Sequence, residues 1–269
     1  MRRSAICFAL IFMAGASLAQ TGLGQTTPSK GPLTAADRAA ALNAIREYAL
    51  NYTRNLPNYT CTQTTRQMVI RETLVRIHPE ADLIEEQLSF VDNKEIRKVT
   101  KINGVTASPD GPDQLRGASS RGEFGNLLDI IFEPATGADI RFDRLSTLNR
   151  RRVYVFAFRV PQSSGYMLTE SKRRIQVPFQ GSVYADYETK AVVRIEMKCT
   201  DIPRGSEYTN AGLTLDYKPA MVAGHEYILP EHYLLHFQMV KGFEMNDAEY
   251  TAYRKFSADA TVTFEGDTQ

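Results

Sequence analysis

The chain has 269 residues, with 32 Lys and Arg against 31 Asp and Glu, for a formal charge of +1. That near balance excludes nucleic acid and anionic membrane surfaces as the main partners, since both select a strongly basic face. The local runs Arg150-Arg151-Arg152 and Lys172-Arg173-Arg174 flank strand patterns and read as solvated strand ends.

The N-terminus carries an export signal. Arg2 and Arg3 precede an apolar stretch from Ala5 to Ala14, and Ser17-Leu18-Ala19 puts small residues where a signal peptidase needs them. Cleavage between Ala19 and Gln20 is expected, with delivery to the periplasm or the exterior. The apolar run is too short to cross ~30 Å of hydrocarbon, and Cys7 inside it is badly placed for lipidation. Removing residues 1–19 takes away two basic and no acidic residues, so 30 against 31 leaves a charge of −1. Cys61 and Cys199 remain. In an oxidising compartment this even pair predicts one disulfide, the alternative being two buried thiols.

Residues 20–33 (QTGLGQTTPSKGPL) are a flexible linker, and a single β-rich domain is expected over 34–269. Thr34 and Asp37 form a capping-box pattern that opens a helix to about Asn55. Its apolar stripe is Leu42, Ile45, Ala49, Tyr52 and Leu56, and Pro57-Asn58 ends it. From Tyr59 the period changes to two, with strands expected over 59–77, 83–91, 95–102, 139–147, 152–160, 165–176, 179–187, 191–200, 212–222, 225–240 and 247–264. Links such as Asp92-Asn93-Lys94, Asn103-Gly104 and Ala223-Gly224 are short and force antiparallel neighbours. Pro161, Pro178, Pro219 and Pro230 belong at strand ends, bulges or an edge.

Residues 103–122 read as a loop leading into a second helix, Arg121 to Glu133, capped by Ser120 with Glu123 and ended by Pro134. Phe124, Leu127, Leu128 and Ile131 fall at i, i+3, i+4, i+7 and need an apolar surface. So many antiparallel strands curl, and the concave side of a curled sheet provides that surface. The fold class is therefore α+β, mostly antiparallel: a curled meander or half-barrel with an N-terminal helix and an inserted lid helix.

The run Gly181-Ser182-Val183-Tyr184-Ala185-Asp186-Tyr187-Glu188-Thr189-Lys190-Ala191-Val192-Val193-Arg194-Ile195-Glu196 resembles the late hairpin of periplasmic lipoprotein-carrier domains of the LolA/LolB-like group. The order of elements fits that group too. The segment Asn55 to Gln63 and Leu215-Asp216-Tyr217 are also similar to exported proteins of acidobacteria. The carrier resemblance implies a half-barrel whose helices lid an apolar cavity for acyl chains.

No pattern in the chain announces catalysis. Gly117-Ala118-Ser119-Ser120 lacks the spacing of a nucleophile elbow, and no phosphate-binding Gly-rich loop occurs. Glu85 and Glu86 are consecutive, so on a strand they point to opposite faces and cannot act together. His232 and His236 share a strand face, with His78 and His225 elsewhere, and this predicts neither a metal centre nor a cofactor. Tyr59, Phe90, Tyr154, Phe156, Phe158, Tyr166, Phe179 and Tyr184 give an aromatic face that serves as sheet core, as ligand cavity, or as both. The expected function is an exported, monomeric, non-enzymatic carrier or binding module for an apolar ligand, lipid or lipoprotein acyl chains. Its expected site is Phe124, Leu127, Leu128 and Ile131 from the helix with Tyr154, Phe156 and Phe158 from the sheet. The rivals are an envelope protein-interaction or sensor domain and a hydrolase without a recognisable motif. Intact-mass analysis of the exported protein should find Gln20 at its N-terminus; a chain still carrying Met1 overturns the export reading.

Overall fold

The computed structural model describes residues 32–72, 77–108, 123–171 and 173–256. The leader 1–19, the linker as far as residue 31, and Gly117, Ser120 and Gly122 lie outside the described residues, as do the side chains of His78 and Phe124.

Helix α1 (Ala35–Asn51) opens on the expected capping box: the Asp37 N–H donates to Thr34 Oγ1 at 3.1 Å, and the Thr34 N–H donates to the Asp37 carboxylate at 2.9 Å. Two of the helix's first free N–H groups would otherwise go unsatisfied. One 3-10 turn, Thr53–Asn55, follows. The buried stripe is Ala41, Ile45, Ala49 and Tyr52, with Leu42 and Leu56 half-buried beside it. Leu33, the last linker residue, also packs on this core.

The strands are β1 (Tyr59–Glu72), β2 (Ile77–Val91), β3 (Lys94–Ile102) and β4 (Val105–Thr106), then helix α2 (Glu123–Phe132). After α2 come β5 (Asp139–Leu148), β6 (Arg151–Val160), β7 (Tyr166–Thr169), β8 (Arg174–Val177), β9 (Phe179–Asp186) and β10 (Val192–Cys199). The last three are β11 (Tyr208–Val222), β12 (His225–Met239) and β13 (Gly242–Lys255). An 11-stranded sheet runs in the order β4-β3-β2-β1-β13-β12-β11-β10-β9-β6-β5, and every neighbouring pair is antiparallel. The tight links have the left-handed backbone that short hairpins require: Asp92 and Asn93 at φ 50° and 60°, Ala223 and Gly224 at 52° and 82°. The edges β4 and β5 do not pair with each other, so the sheet is an open half-barrel.

Three expectations change. The meander is not continuous. It runs from β1 outward to β4, then α2 carries the chain to the opposite edge, and β5 starts a second run that returns until β13 pairs with β1. The stretch 165–176 is not one strand but the hairpin β7–β8, a separate two-stranded sheet. Its reversal is fixed from outside: the Glu170 carboxylate accepts from the Ser206 hydroxyl, from the Glu207 N–H at 2.9 Å and from Arg173 at 2.6 Å. Local sequence contains half of that network.

The third change concerns the cysteines. Cys61 lies on β1 opposite Leu88, and Cys199 ends β10 opposite Phe179, with β13, β12 and β11 between their strands. Neighbouring strands stand about 4.8 Å apart, whereas a disulfide needs Cα atoms within about 7 Å. Both thiols are free and buried, and burial pushes each up to about 12 from an ordinary 9.0.

The prolines lie where ladders are incomplete. β10 pairs with β11 only up to Asp216, and β13 pairs with β12 only from His232. Beyond those rungs β11 and β12 continue as a two-stranded ribbon containing Pro219 and Pro230, whose missing N–H groups face no third strand.

The buried thiols give a test. Because the thiolate is the reactive form, the native protein should be inert to a thiol-titrating disulfide reagent at pH 8, and unfolding should release both thiols. The folded chain holds these protons more tightly than the unfolded one. Their contribution to stability is therefore complete below pH 9 and is lost as pH rises from 9 towards about 12. Denaturant midpoints measured across that window should fall; a flat profile refutes the burial of the two thiols.

Candidate functional site

One face of the sheet is covered by both helices. Strand alternation sends Tyr59 and Cys61 of β1, Leu88 and Phe90 of β2, Phe156, Phe158 and Val160 of β6, and Leu213 and Leu215 of β11 to that side, all buried. Helix α1 crosses near β10, and α2 lies between α1 and β6. Tyr52 at the end of α1 meets Tyr217 edge-on at 5.8 Å and donates its hydroxyl to the Ile228 carbonyl at 2.9 Å, gripping the ribbon. Tyr59 stacks on Phe90 at 5.3 Å. Burial pushes Tyr52, Tyr59 and Tyr253 well above the ordinary tyrosine range.

The expected site residues largely come together here. Leu127, Leu128 and Ile131 are 3%, 1% and 1% exposed, and the stripe has a further member in Phe132. Tyr154, Phe156 and Phe158 are buried on the facing strand. Phe156 meets Phe142 edge-on at 5.6 Å, Phe158 meets Phe179 at 5.8 Å, and Tyr154 stacks on Tyr187 at 4.9 Å. Arg152 and Lys190 cover the Tyr187 ring. The helix stripe and the aromatic strand thus form one packed apolar layer. Tyr184 does not belong to it. Its neighbours Val183 and Ala185 point inward, so Tyr184 projects from the other face and donates to the Glu196 carboxylate at 3.0 Å.

Further along the same face the character changes. Gln63, Thr65 and Gln67 of β1 stand beside Glu86 of β2 and Glu244 and Asn246 of β13, all buried. Gln63 donates to Thr65 Oγ1 at 3.0 Å, and Gln67 donates to Asn246 at 3.1 Å. Among the described residues the Gln63 side-chain amide oxygen is buried without a hydrogen-bond partner, a state that costs about 1–3 kcal/mol. The helix-covered face is therefore apolar under α1 and α2 and polar on the far part of β1, β2 and β13. Sequence reasoning missed this band because Thr-Gln-Thr-Thr-Arg-Gln looks like a solvated strand in isolation.

The opposite face carries His232, His236 and a second polar network. His232 Nε2 lies 2.6 Å from Asp247, and Arg194 grips Asp216 through two bonds of 2.5 and 2.9 Å. Asp216 is 3.9 Å from His232 Nδ1. His236 shares that face, its ring lying over Gly212, and burial pushes its pKa down. Among the described residues no three His, Cys, Asp or Glu side chains are arranged to hold a metal ion. Glu85 and Glu86 point to opposite sides as expected, Glu85 taking Lys101 at 3.0 Å while Glu86 turns inward.

No protein-family model and no curated protein matches the chain. Among solved structures it is similar to a LolA superfamily protein from Nitrosomonas europaea, at 11% identity over 80% of this chain and 94% of that one, with a TM-score of 0.39. It is also similar to an outer membrane lipoprotein-sorting protein domain from Vibrio parahaemolyticus, at 12% identity over 82% and 94%, TM-score 0.46. A third is the MucA/MucB complex of Pseudomonas aeruginosa, at 14% identity over 81% and 100%, TM-score 0.24. No helix among the described residues is long and apolar enough to cross a membrane.

The docking of α2 turns on one close approach. A Cβ built on Gly125 would lie 2.1 Å from the Thr53 methyl. In a free helix Gly→Ala stabilises by about 1 kcal/mol; here Gly125→Ala should lower the melting temperature, and adding Thr53→Ser, which deletes that methyl, should restore it. A rise in melting temperature with Gly125→Ala alone would show that α2 is not held against Thr53.

Proposed function

We propose that the protein is an exported, non-enzymatic carrier or binding module of the cell envelope, sheltering an apolar ligand of the acyl-chain type on the helix-covered face. Residues 34–269 act as one monomeric domain in the periplasm or outside the cell, and the ligand exchanges with the stripe of α2. The observation that supports this most is the division of the apolar layer. One side of it comes from the rigid sheet at Tyr154, Phe156 and Phe158, and the other from a helix of only 10 residues.

A helix that short does not hold its shape alone in water. It stays in place because Leu127, Leu128, Ile131 and Phe132 leave water, each side chain contributing about 1.5–3 kcal/mol. An acyl chain offers the sheet the same kind of surface, so helix and ligand compete on equal chemical terms. The polar band of β1, β2 and β13 on the same face offers hydrogen-bonding groups for the head of an amphiphile.

Leu127→Asp with Leu128→Asp tests the proposal. A displaceable lid should leave a folded sheet, with native-like circular dichroism and cooperative melting, and should raise binding of an apolar dye several-fold. A permanent plug should unfold or aggregate, because two charges would be buried without partners. Lipid mass spectrometry on the purified wild-type protein identifies the cargo. A stoichiometric co-purifying protein in place of lipid favours an interaction domain.

A further inference from the structure

The helix-free face contains a concavity that the carrier reading does not use. Antiparallel registers align Asp139, Arg159, Gln180, Lys198, Gly212 and His236 as one rung across β5, β6, β9, β10, β11 and β12. The neighbouring rung runs Ala157, Ser182, Glu196 and Thr214, three short side chains with the Glu196 carboxylate among them. Long side chains beside short ones leave a groove of about 800 Å³, within the range of small-molecule sites. The ring of His236 closes one end by lying across Gly212, where a Cβ would come within 2.6 Å of it.

The charges around this groove are not evenly matched. Asp139 stands directly opposite Arg159 in the ladder, yet its carboxylate pairs with Arg141 at 2.8 Å. Glu196 is engaged by Tyr184 at 3.0 Å and Arg194 at 3.6 Å. Arg159 makes its bond to the Gln180 amide oxygen at 3.0 Å, which turns the Gln180 amide N–H donors to other partners. Among the described residues neither Arg159 nor Lys198 has a carboxylate within salt-bridge distance. Two unneutralised cations therefore flank an amide donor on adjacent strands, about 4.8 Å per step.

We propose that this groove binds a phosphate ester, with Arg159, Gln180 and Lys198 taking the phosphate oxygens and Ala157, Ser182 and Thr214 seating the esterified group. Three donors from three neighbouring strands suit a tetrahedral anion with several free oxygens better than a planar carboxylate. The Arg fork and the Lys point charge are the two side chains that bind phosphate most strongly. The groove is much larger than a phosphate, and its floor carries hydroxyls, as a polyol or sugar ester requires. The ester can come from a soluble metabolite or from a phospholipid head, and the two sources are separable.

The test titrates the labelled protein with sn-glycerol 3-phosphate, inorganic phosphate and glycerol, following backbone amide signals by NMR. Saturable shifts at Gln180, Ser182 and Thr214 are expected with the first two and not with glycerol. Arg159→Ala with Lys198→Ala should weaken binding about tenfold or more, whereas Lys241→Ala with Arg254→Ala, on exposed positions away from the groove, should leave it unchanged. Ala157→Leu, which fills the floor without touching charge, should abolish binding of the glycerol ester and spare inorganic phosphate. Vesicles of phosphatidylglycerol in phosphatidylcholine, set against phosphatidylcholine alone, assign the source: sedimentation of the protein with the former indicates a lipid head, its absence a soluble ester. The proposal is overturned if no phosphate probe gives a saturable shift in the groove, or if the distant charge pair weakens binding as much as Arg159 and Lys198 do.

Discussion

The ladder between β1 and β13 runs from Tyr59 opposite Lys255 to Arg71 opposite Gly242, and it joins two runs of strands that local hairpins alone would leave separate. It needs a close approach at its far end: a Cβ on Gly242, whose φ is 141°, would lie 2.1 Å from the Ile70 carbonyl oxygen. Once this ladder exists, one sheet has one helix-covered face. The aromatic strand β6, the stripe of α2 and the polar band of β1 and β13 then belong to a common surface. Without it, α1 and α2 would pack only on the run that holds β6 and β10, and β1 to β4 would not share their face.

That single face explains how an apolar layer and a buried polar band occur together. α1 and α2 reach only the end marked by Tyr59, Tyr154 and Tyr217, where aromatic pairs lie 4.9–5.8 Å apart. Further along β1, and beside it on β13, the inward positions are Gln63, Thr65, Gln67 and Asn246, while β6 and β11 stay apolar. The change from apolar to polar belongs to β1 and its neighbours β2 and β13. The other face holds its charges in a cross-strand network centred on Asp216 and His232. The two sides of one sheet therefore have distinct chemistries, one largely apolar and aromatic, the other charged.

Much of this was legible in the sequence wherever the signal was local. The Thr34–Asp37 cap, the α2 stripe and the tight turns at Asp92-Asn93 and Ala223-Gly224 were readable because each rests on residues a few positions apart. The failures have the opposite cause. The β7–β8 reversal depends on Ser206 and Glu207, and the separation of Cys61 from Cys199 depends on which strands come between them. Both are facts of pairing, which composition does not encode. Strand parity turns Tyr184 away from the aromatic face despite its ring, and the inward polar residues Gln63, Thr65 and Gln67 look solvated until the sheet is assembled. The groove around Arg159 and Lys198 is a property of six strands in register, visible only once the pairing is known.

The ribbon formed by the ends of β11 and β12 also bears on the order in which the molecule takes shape. Tyr52, closing α1, bonds to the carbonyl of Ile228, 176 residues later, and Tyr253 bonds to the neighbouring Pro230 carbonyl at 2.6 Å. A chain that emerges N-terminus first has made α1 long before its anchor exists. The first helix therefore waits, with its apolar stripe bare, until nearly the whole chain has been made. During that interval it is the segment most open to a holding chaperone or a protease, and its docking marks the completion of the fold rather than its nucleus.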